Sequence, residues 1–180
     1  MNRNHVSAIA AALQRVQSVF QRRPEAALDE DAPALSRWTG GMRVVTQHAD
    51  GHTVSTDMPP ELGGSGDQVT PGWLMRAGLA SCTATRIAMS AATEGIEIDL
   101  LEVEVCSRSD ARGLLGMCEA DGRQVPAGPL DMRLRVRLSA RGVAAERLRA
   151  LVEASCRHSP VGDAIETALP IELQIDLPTH

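Results

Sequence analysis

The sequence predicts an α+β protein, because helical and strand-like segments follow one another without the regular alternation of a parallel sheet. Hydrophobic residues recur at helical spacing near the N-terminus, after Thr70 and from about Ala144. Two-residue alternation marks Glu97–Ser107 and Leu130–Leu138 instead. The predicted order is therefore helix, strands, central helix, strands, helix and a final strand.

The composition excludes several classes of protein. The chain has 180 residues, which fits one domain, and its 18 cations, all of them arginine, are outnumbered by 23 acids. Phe20, Trp38 and Trp73 are the only aromatic residues, so neither a base-stacking platform nor a nucleic-acid surface is expected. The sequence contains no run of about 18 consecutive apolar residues, so no membrane span is predicted. Four cysteines without a secretion signal predict reduced thiols in the cytoplasm.

The first predicted element is an amphipathic helix over about Ser7–Arg22, which ends before Pro24. The segment contains arginine and no acid before Glu25, a composition that is also found in organellar transit peptides. The apolar stripe favours a packed helix over a transit peptide, and its members are Ile9, Leu13, Val16 and Phe20.

A β-meander and a central helix are predicted next. After an acidic linker, the strand-like pieces Met42–Gln47 and Thr53–Thr56 indicate the meander. A stretch rich in Pro and Gly then predicts a loop up to Thr70, which can cap a helix with Pro71 at its first position. This helix continues to about Thr93, and its many small residues indicate a buried helix that other segments approach closely.

The alternating segments predict two half-buried strands, one with glutamates and the other with arginines on its outer face. If the strands pair, opposite charges lie side by side, so the arginines are interpreted as solvated sheet surface and not as a phosphate site. A later helix is predicted over about Ala144–His158. After Pro170, the alternating sequence IELQIDL predicts a final strand.

Three residues on the two predicted helices are candidates for chemistry. Cys82 lies in the middle of the central helix, while Cys156 and Ser159 lie near the end of the later helix. At 100° per residue, Ser159 falls on the apolar face and Cys156 at its edge. A buried, inert Cys82 is the alternative interpretation. Cys156 and His158 lack the spacing of a zinc site, so neither a metal nor a cofactor is predicted.

The segments PPELGGSGDQVTPGWLMRAGLASC, VEASCRHSPVGDAI and IELQIDL resemble the OsmC/Ohr family of thiol peroxidases. The resemblance extends over roughly Arg37–Leu177. It implies two antiparallel sheets around buried central helices, an intertwined homodimer, and active sites at the subunit interface. The expected organisation is an N-terminal helix and linker over residues 1–33, followed by an OsmC-like domain over residues 34–180.

The resemblance also implies a reaction. Family members use a thiolate, here at Cys82, to attack an organic hydroperoxide, and a second cysteine then resolves the sulfenic acid as a disulfide. Cys82 lies too far inside its helix for the helix dipole to stabilise the thiolate, so a cation is required. The family supplies an arginine from the early strands, for which Arg43 is the first choice and Arg37 the second. Arg86, four residues after Cys82, is a local candidate.

Two substitutions separate this chain from the family pattern. Gly72 stands where the family has the glutamate that holds the arginine, and Ser159 stands where it has the resolving cysteine. Cys156, one helical turn earlier, is a possible substitute, and an external thiol reductant is another route. The alternative function is a non-catalytic dimer that binds an apolar small molecule in the interface pocket.

Overall fold

The computed structural model describes residues 3–167 and 169–177. Five helices occur in this part of the chain: α1 (Arg3–Arg22), α2 (Pro71–Thr93), α3 (Ala111–Leu114), α4 (Ala145–Cys156) and α5 (Pro160–Glu166). The same residues form five strands: β1 (Leu35–Gly40), β2 (Arg43–Gln47), β3 (Thr53–Thr56), β4 (Leu100–Ser109) and β5 (Pro129–Ser139). The α+β fold class and the two antiparallel sheets are confirmed. Among the described residues, no helix has the length and apolarity that crossing a membrane requires.

Helix α2 begins and ends where the sequence predicts. The Thr70 hydroxyl accepts a hydrogen bond from the Trp73 N–H at 3.2 Å, and Pro71 occupies the first helical position. Gly95 follows the helix with a φ of 68°, which a residue with a side chain rarely adopts. These local signals predict the bounds of the central helix from the sequence alone, without reference to tertiary packing.

Helix α1 packs against α2 in the antiparallel direction. Val6, near the start of α1, borders the same cavity as Ile96, which follows the end of α2. Phe20, near the end of α1, borders a second cavity together with Arg86. The N-terminal helix is therefore packed along the central helix.

Strands β4 and β5 form a two-stranded sheet whose outer face carries complementary charges. The register places Glu102 opposite Arg137 and Glu104 opposite Arg135. The Arg137 guanidinium donates to Glu102 at 2.6 Å. These paired surface charges agree with the interpretation of the arginines as solvated sheet surface. An exposed pair of this kind contributes only about 0.2–1 kcal/mol to stability.

The hydrophobic core lies between α2, α4 and the inner face of the β4–β5 sheet. Its most buried side chain is Ile87 of α2, which contacts a cluster that includes Leu151 of α4. Inner-face residues of the sheet, among them Val103 and Val136, pack against this cluster. Strands β1, β2 and β3 form a separate meander that contributes no residue to the cluster.

Two sequence expectations about strands differ from the structure. Strand β1 was not predicted, because its residues are almost all exposed and show no two-residue alternation of burial. The final strand predicted from IELQIDL is wrong for the isolated chain, since residues 171–177 form no strand. Their apolar side chains are exposed because no neighbouring strand within the described chain pairs with them: Ile171, Leu173, Ile175 and Leu177.

Candidate active site

Cys82 is a half-buried free thiol on the side of α2 that faces α1. Arg86, Met89 and Thr93 follow it at helical spacing, and all three line the cavity between the two helices. Cys82 thus begins a stripe of side chains that leads from the centre of α2 towards its C-terminal end.

Ser159 lies in the interior at the junction of α4 and α5, where it precedes the first residue of α5. Its side chain is 1% exposed, and its Oγ has no hydrogen-bond partner among the described residues. A methyl group on Gly162 would lie 3.5 Å from that Oγ and 3.7 Å from Leu79 Cδ1. Ser159 and Leu79, which precedes Cys82 by one turn on α2, are therefore both neighbours of Gly162, where α5 packs against α2.

Cys156 is the last residue of α4 and is half-buried. Burial raises the pKa of its thiol above the ordinary value, while the positive charge of Arg157 opposes that shift. A thiol with a raised pKa is mostly protonated near neutral pH and is therefore a weaker nucleophile. The two remaining cysteines are exposed, Cys106 on β4 and Cys118 in the segment between α3 and β5.

Arg43 is held by two carboxylates of its own chain. Its guanidinium donates to Asp57 Oδ2 at 3.0 Å and also pairs with Asp67. No hydrogen bond joins Arg43 to Cys82 in the described part of the chain. The structure therefore fixes the orientation of Arg43 without bringing it to the cysteine of the same subunit.

Asp57 is the buried member of this pair, with a side chain that is 2% exposed. Its carboxylate also accepts the backbone N–H groups of Met58 at 2.8 Å and Ser65 at 3.1 Å. Burial acts to raise the pKa of Asp57, but the hydrogen bonds from Arg43 and the two N–H groups outweigh it. The pKa of Asp57 is consequently lowered, and the carboxylate is charged near neutral pH.

The other two candidate cations occupy different surroundings. Arg37 donates to the Gln47 side chain at 3.2 Å on the exposed meander. Arg86 is half-buried and forms no ion pair with any described residue. Of the three, Arg86 is the one that shares a helix face with Cys82.

Gly72, where the family glutamate is expected, is exposed in the first turn of α2. A methyl group there would lie 3.9 Å from Arg76 Nη1. Arg76 instead donates to Ser107 Oγ of β4 at 3.2 Å. The position thus has a neighbouring cation but supplies no carboxylate to it.

Sequence reasoning missed the two aspartates that hold Arg43. The available signal was that Asp57 directly follows a predicted strand and Asp67 lies in the loop rich in Pro and Gly.

The residues in the described part of the chain contain no group of His, Cys, Asp and Glu that could hold a metal ion. The candidate site contains the thiols of Cys82 on α2 and Cys156 at the end of α4, together with the Ser159 hydroxyl.

Comparison with solved structures identifies the fold. An OsmC-like protein from Mycoplasma pneumoniae superposes with a TM-score of 0.64 at 13% identity, over 78% of this chain and 91% of that one. An OsmC-like protein from Vibrio cholerae gives 0.62 at 12% identity, over 77% and 96%. An organic hydroperoxide resistance protein from Legionella pneumophila gives 0.55 at 21% identity, over 76% and 91%. The architecture is that of the OsmC/Ohr proteins.

The sequence supports the same assignment. The family model described as OsmC-like protein matches residues 64–174, a range that includes Cys82 and Ser159. No curated protein matches the sequence. The chain belongs to the OsmC-like protein family.

Proposed function

We propose that this protein is a thiol-dependent peroxidase that reduces organic hydroperoxides in defence against oxidative stress, with Cys82 as the attacking thiol. The observation that carries the proposal is the burial of Ser159, at the family's second position, at the start of α5, which packs against the helix α2 that carries Cys82. The fold shared with organic hydroperoxide resistance proteins supports the same reaction.

The first step consumes the hydroperoxide. The Cys82 thiolate attacks the terminal oxygen, so an S–O bond forms while the O–O bond breaks. The leaving alkoxide takes a proton and departs as an alcohol, which leaves Cys82 as a sulfenic acid. The hydroperoxide is reduced by two electrons and the sulfur is oxidised by two.

A cation is needed beside the thiolate, and Arg43 and Arg86 are the candidates. Long helical side chains lean towards the N-terminus of their helix, which directs Arg86 over the turn that contains Cys82. Arg43 keeps the family role if the meander of a second subunit carries it to the site. Asp57, which holds Arg43, then replaces the carboxylate that is absent at Gly72.

We propose that an external thiol completes the cycle. Ser159 cannot form a disulfide, and the raised pKa of Cys156 makes that residue a poor resolving thiol at neutral pH. A small or protein thiol would attack the sulfenic sulfur, release water and form a mixed disulfide with Cys82. A second thiol would then regenerate Cys82.

The quaternary structure and location are part of the proposal. We propose a homodimer formed by an OsmC-like domain over residues 34–180, with residues 1–33 as an additional helix and linker. The exposed apolar side chains of the meander and of residues 171–177 support such a dimer, because large exposed apolar surfaces mark interfaces. The four free thiols favour a reducing compartment such as the cytoplasm.

The direct test measures consumption of cumene hydroperoxide with dithiothreitol as reductant. Cys82→Ser should reduce turnover to background, whereas Cys106→Ser, a control at an exposed thiol, should retain the wild-type rate. Mass spectrometry after one equivalent of hydroperoxide should place the modification on Cys82. A wild-type protein as inactive as Cys82→Ser would refute the peroxidase proposal.

A second candidate function is a non-catalytic dimer that binds a small ligand. Gly72 and Ser159 favour it, because the family carboxylate and the second cysteine are both replaced. This function predicts no hydroperoxide consumption, together with binding of an alkyl alcohol that Cys82→Ser leaves unchanged. The turnover assay therefore separates the two candidates.

A further inference from the structure

A groove between α1 and α2 has the properties of a small-molecule site. Its volume is about 380 Å³, within the usual range for ligand pockets. One wall carries Leu13, Val16 and Phe20 of α1, and the other carries Arg86 and Met89 of α2. We refer to this space as the α1–α2 groove.

The groove exists because the two halves of α1 pack differently. Val6, in the first half, is 5% exposed and is packed against the end of α2. In the second half, Val16 and Phe20 are 46% and 39% exposed, although they lie on the stripe that faces α2. The apolar side chains of α1 are thus left partly uncovered, and an apolar occupant would bury them.

The charges of the groove are unbalanced. Glu94, which also lines it, is paired with Arg147 at 2.7 Å and is neutralised by that contact. Arg86 has no carboxylate partner among the described residues. A half-buried guanidinium that lies against apolar side chains is stabilised most by an anionic partner. Such a partner compensates both the desolvation of the guanidinium and the absence of a counter-charge.

We infer that the α1–α2 groove binds a small organic monoanion, whose charged head contacts Arg86 and whose apolar body lies against Phe20 and Met89. The stripe from Leu13 to Phe20 spans about 10 Å at 1.5 Å per residue, which matches a chain of about eight carbons. The helix α1 lies outside residues 64–174, the range matched by the family model. Binding of the anion requires no peroxide chemistry, although Arg86 is also a candidate cation for the Cys82 thiolate in the proposed activity.

The test uses titration calorimetry of the full-length protein with octanoate below its micellar concentration. Octanoate should bind with one site per chain, and octylammonium, which has the same apolar body with the opposite charge, should not bind. Arg86→Gln should weaken octanoate binding about tenfold or more, while Arg86→Lys should retain most of it. Phe20→Ala should weaken the binding of octanoate by a smaller factor.

Arg141→Gln is the matched control, because Arg141 is exposed and lies outside the groove. Equal affinity of the wild type and Arg86→Gln would overturn the inference, as would equal binding of octylammonium or the absence of octanoate binding. Circular dichroism of each variant verifies that the fold is retained. Hydroperoxide turnover plays no part in this test, so its outcome is separate from that of the peroxidase proposal.

Discussion

The pair formed by Arg43 and Asp57 shows how a buried carboxylate fixes a cation in the meander. Asp57 accepts one side-chain and two backbone hydrogen bonds, so its charge is fully compensated although it is removed from water. In the proposed peroxidase, Asp57 in the loop after β3 takes the role of the carboxylate that the family pattern places at Gly72, and it holds Arg43 in one orientation.

Asp57→Asn should destabilise the protein and flatten its acid denaturation. The folded-state pKa of Asp57 is lowered, so its contribution is present above about pH 4 and is lost as the pH falls through the folded value. Urea midpoints measured from pH 7 to pH 3 should fall less steeply for the variant than for the wild type. Asp67→Asn, at the exposed partner of Arg43, is the control and should change the midpoints much less. Parallel curves for the wild type and Asp57→Asn would contradict this account.

Individual site residues were predictable only where local spacing determines them. The position of Cys82 on a helix face, the interior location of Ser159 and the outward arginines of β5 all follow from helical or strand periodicity. The contact between Arg43 and Asp57 depends on how a strand and a distant loop meet. Local spacing rules do not determine this contact, so it could not be predicted from the sequence alone.

At the scale of elements, the junction of α4 and α5 determines which chemistry the site permits. It places the Ser159 hydroxyl against α2 without a hydrogen-bond partner among the described residues, which is unusual for a buried polar atom. A cysteine in place of Ser159 would break no hydrogen bond among the described residues, and its sulfur would lie where α5 packs against α2.

Ser159→Cys should therefore convert the site to an internal two-cysteine mechanism. One equivalent of cumene hydroperoxide should remove two thiols per chain instead of one, and peptide mapping should find a disulfide between Cys82 and the introduced thiol. The same substitution combined with Cys156→Ser should behave identically, which excludes Cys156 as the partner. A sulfenic acid that persists on Cys82 in both variants would contradict the proximity of the two positions.

The elements themselves were predictable to different degrees. Helices α2 and α4 have strong caps or a clear apolar stripe, and their predicted bounds lie within a few residues of the observed ones. Strand β1 has an exposed surface on both faces and thus no alternation to detect. The tail after Pro170 alternates apolar and polar residues but forms no strand. Alternation indicates which residues would share one face of a sheet, whereas a strand also requires a neighbouring strand with which to pair.

At the scale of the molecule, the meander and the tail both carry exposed apolar side chains. Trp38 of the meander is largely exposed, and so are the four apolar residues of the tail. A single chain thus leaves exposed the apolar surfaces that its alternating apolar and polar residues would bury within a sheet. These surfaces are the expected location of subunit contacts.

Leu173→Glu should weaken the proposed dimer, because it places a charge on the apolar side of the tail. Size-exclusion chromatography with light scattering should give a dimer for the wild type and a monomer–dimer mixture for the variant, with a dissociation constant raised about tenfold or more. Gln174→Glu adds the same charge on the alternate side and should remain dimeric. A monomeric wild type would contradict the proposed dimer, and an unchanged dimer in Leu173→Glu would exclude the tail from the interface.

The packing of α1 along α2 also bears on how the chain is synthesised. Helix α1 leaves the ribosome before α2, so the surface that covers its apolar stripe is complete only when Thr93 has been added. At about 5–20 residues per second, this interval lasts about 4–14 s. An acid-free, arginine-containing amphipathic helix is exposed during that time, when the nascent chain is open to chaperones. The N-terminal helix is thus synthesised before the helix that covers it, and it stays uncovered until that helix is complete.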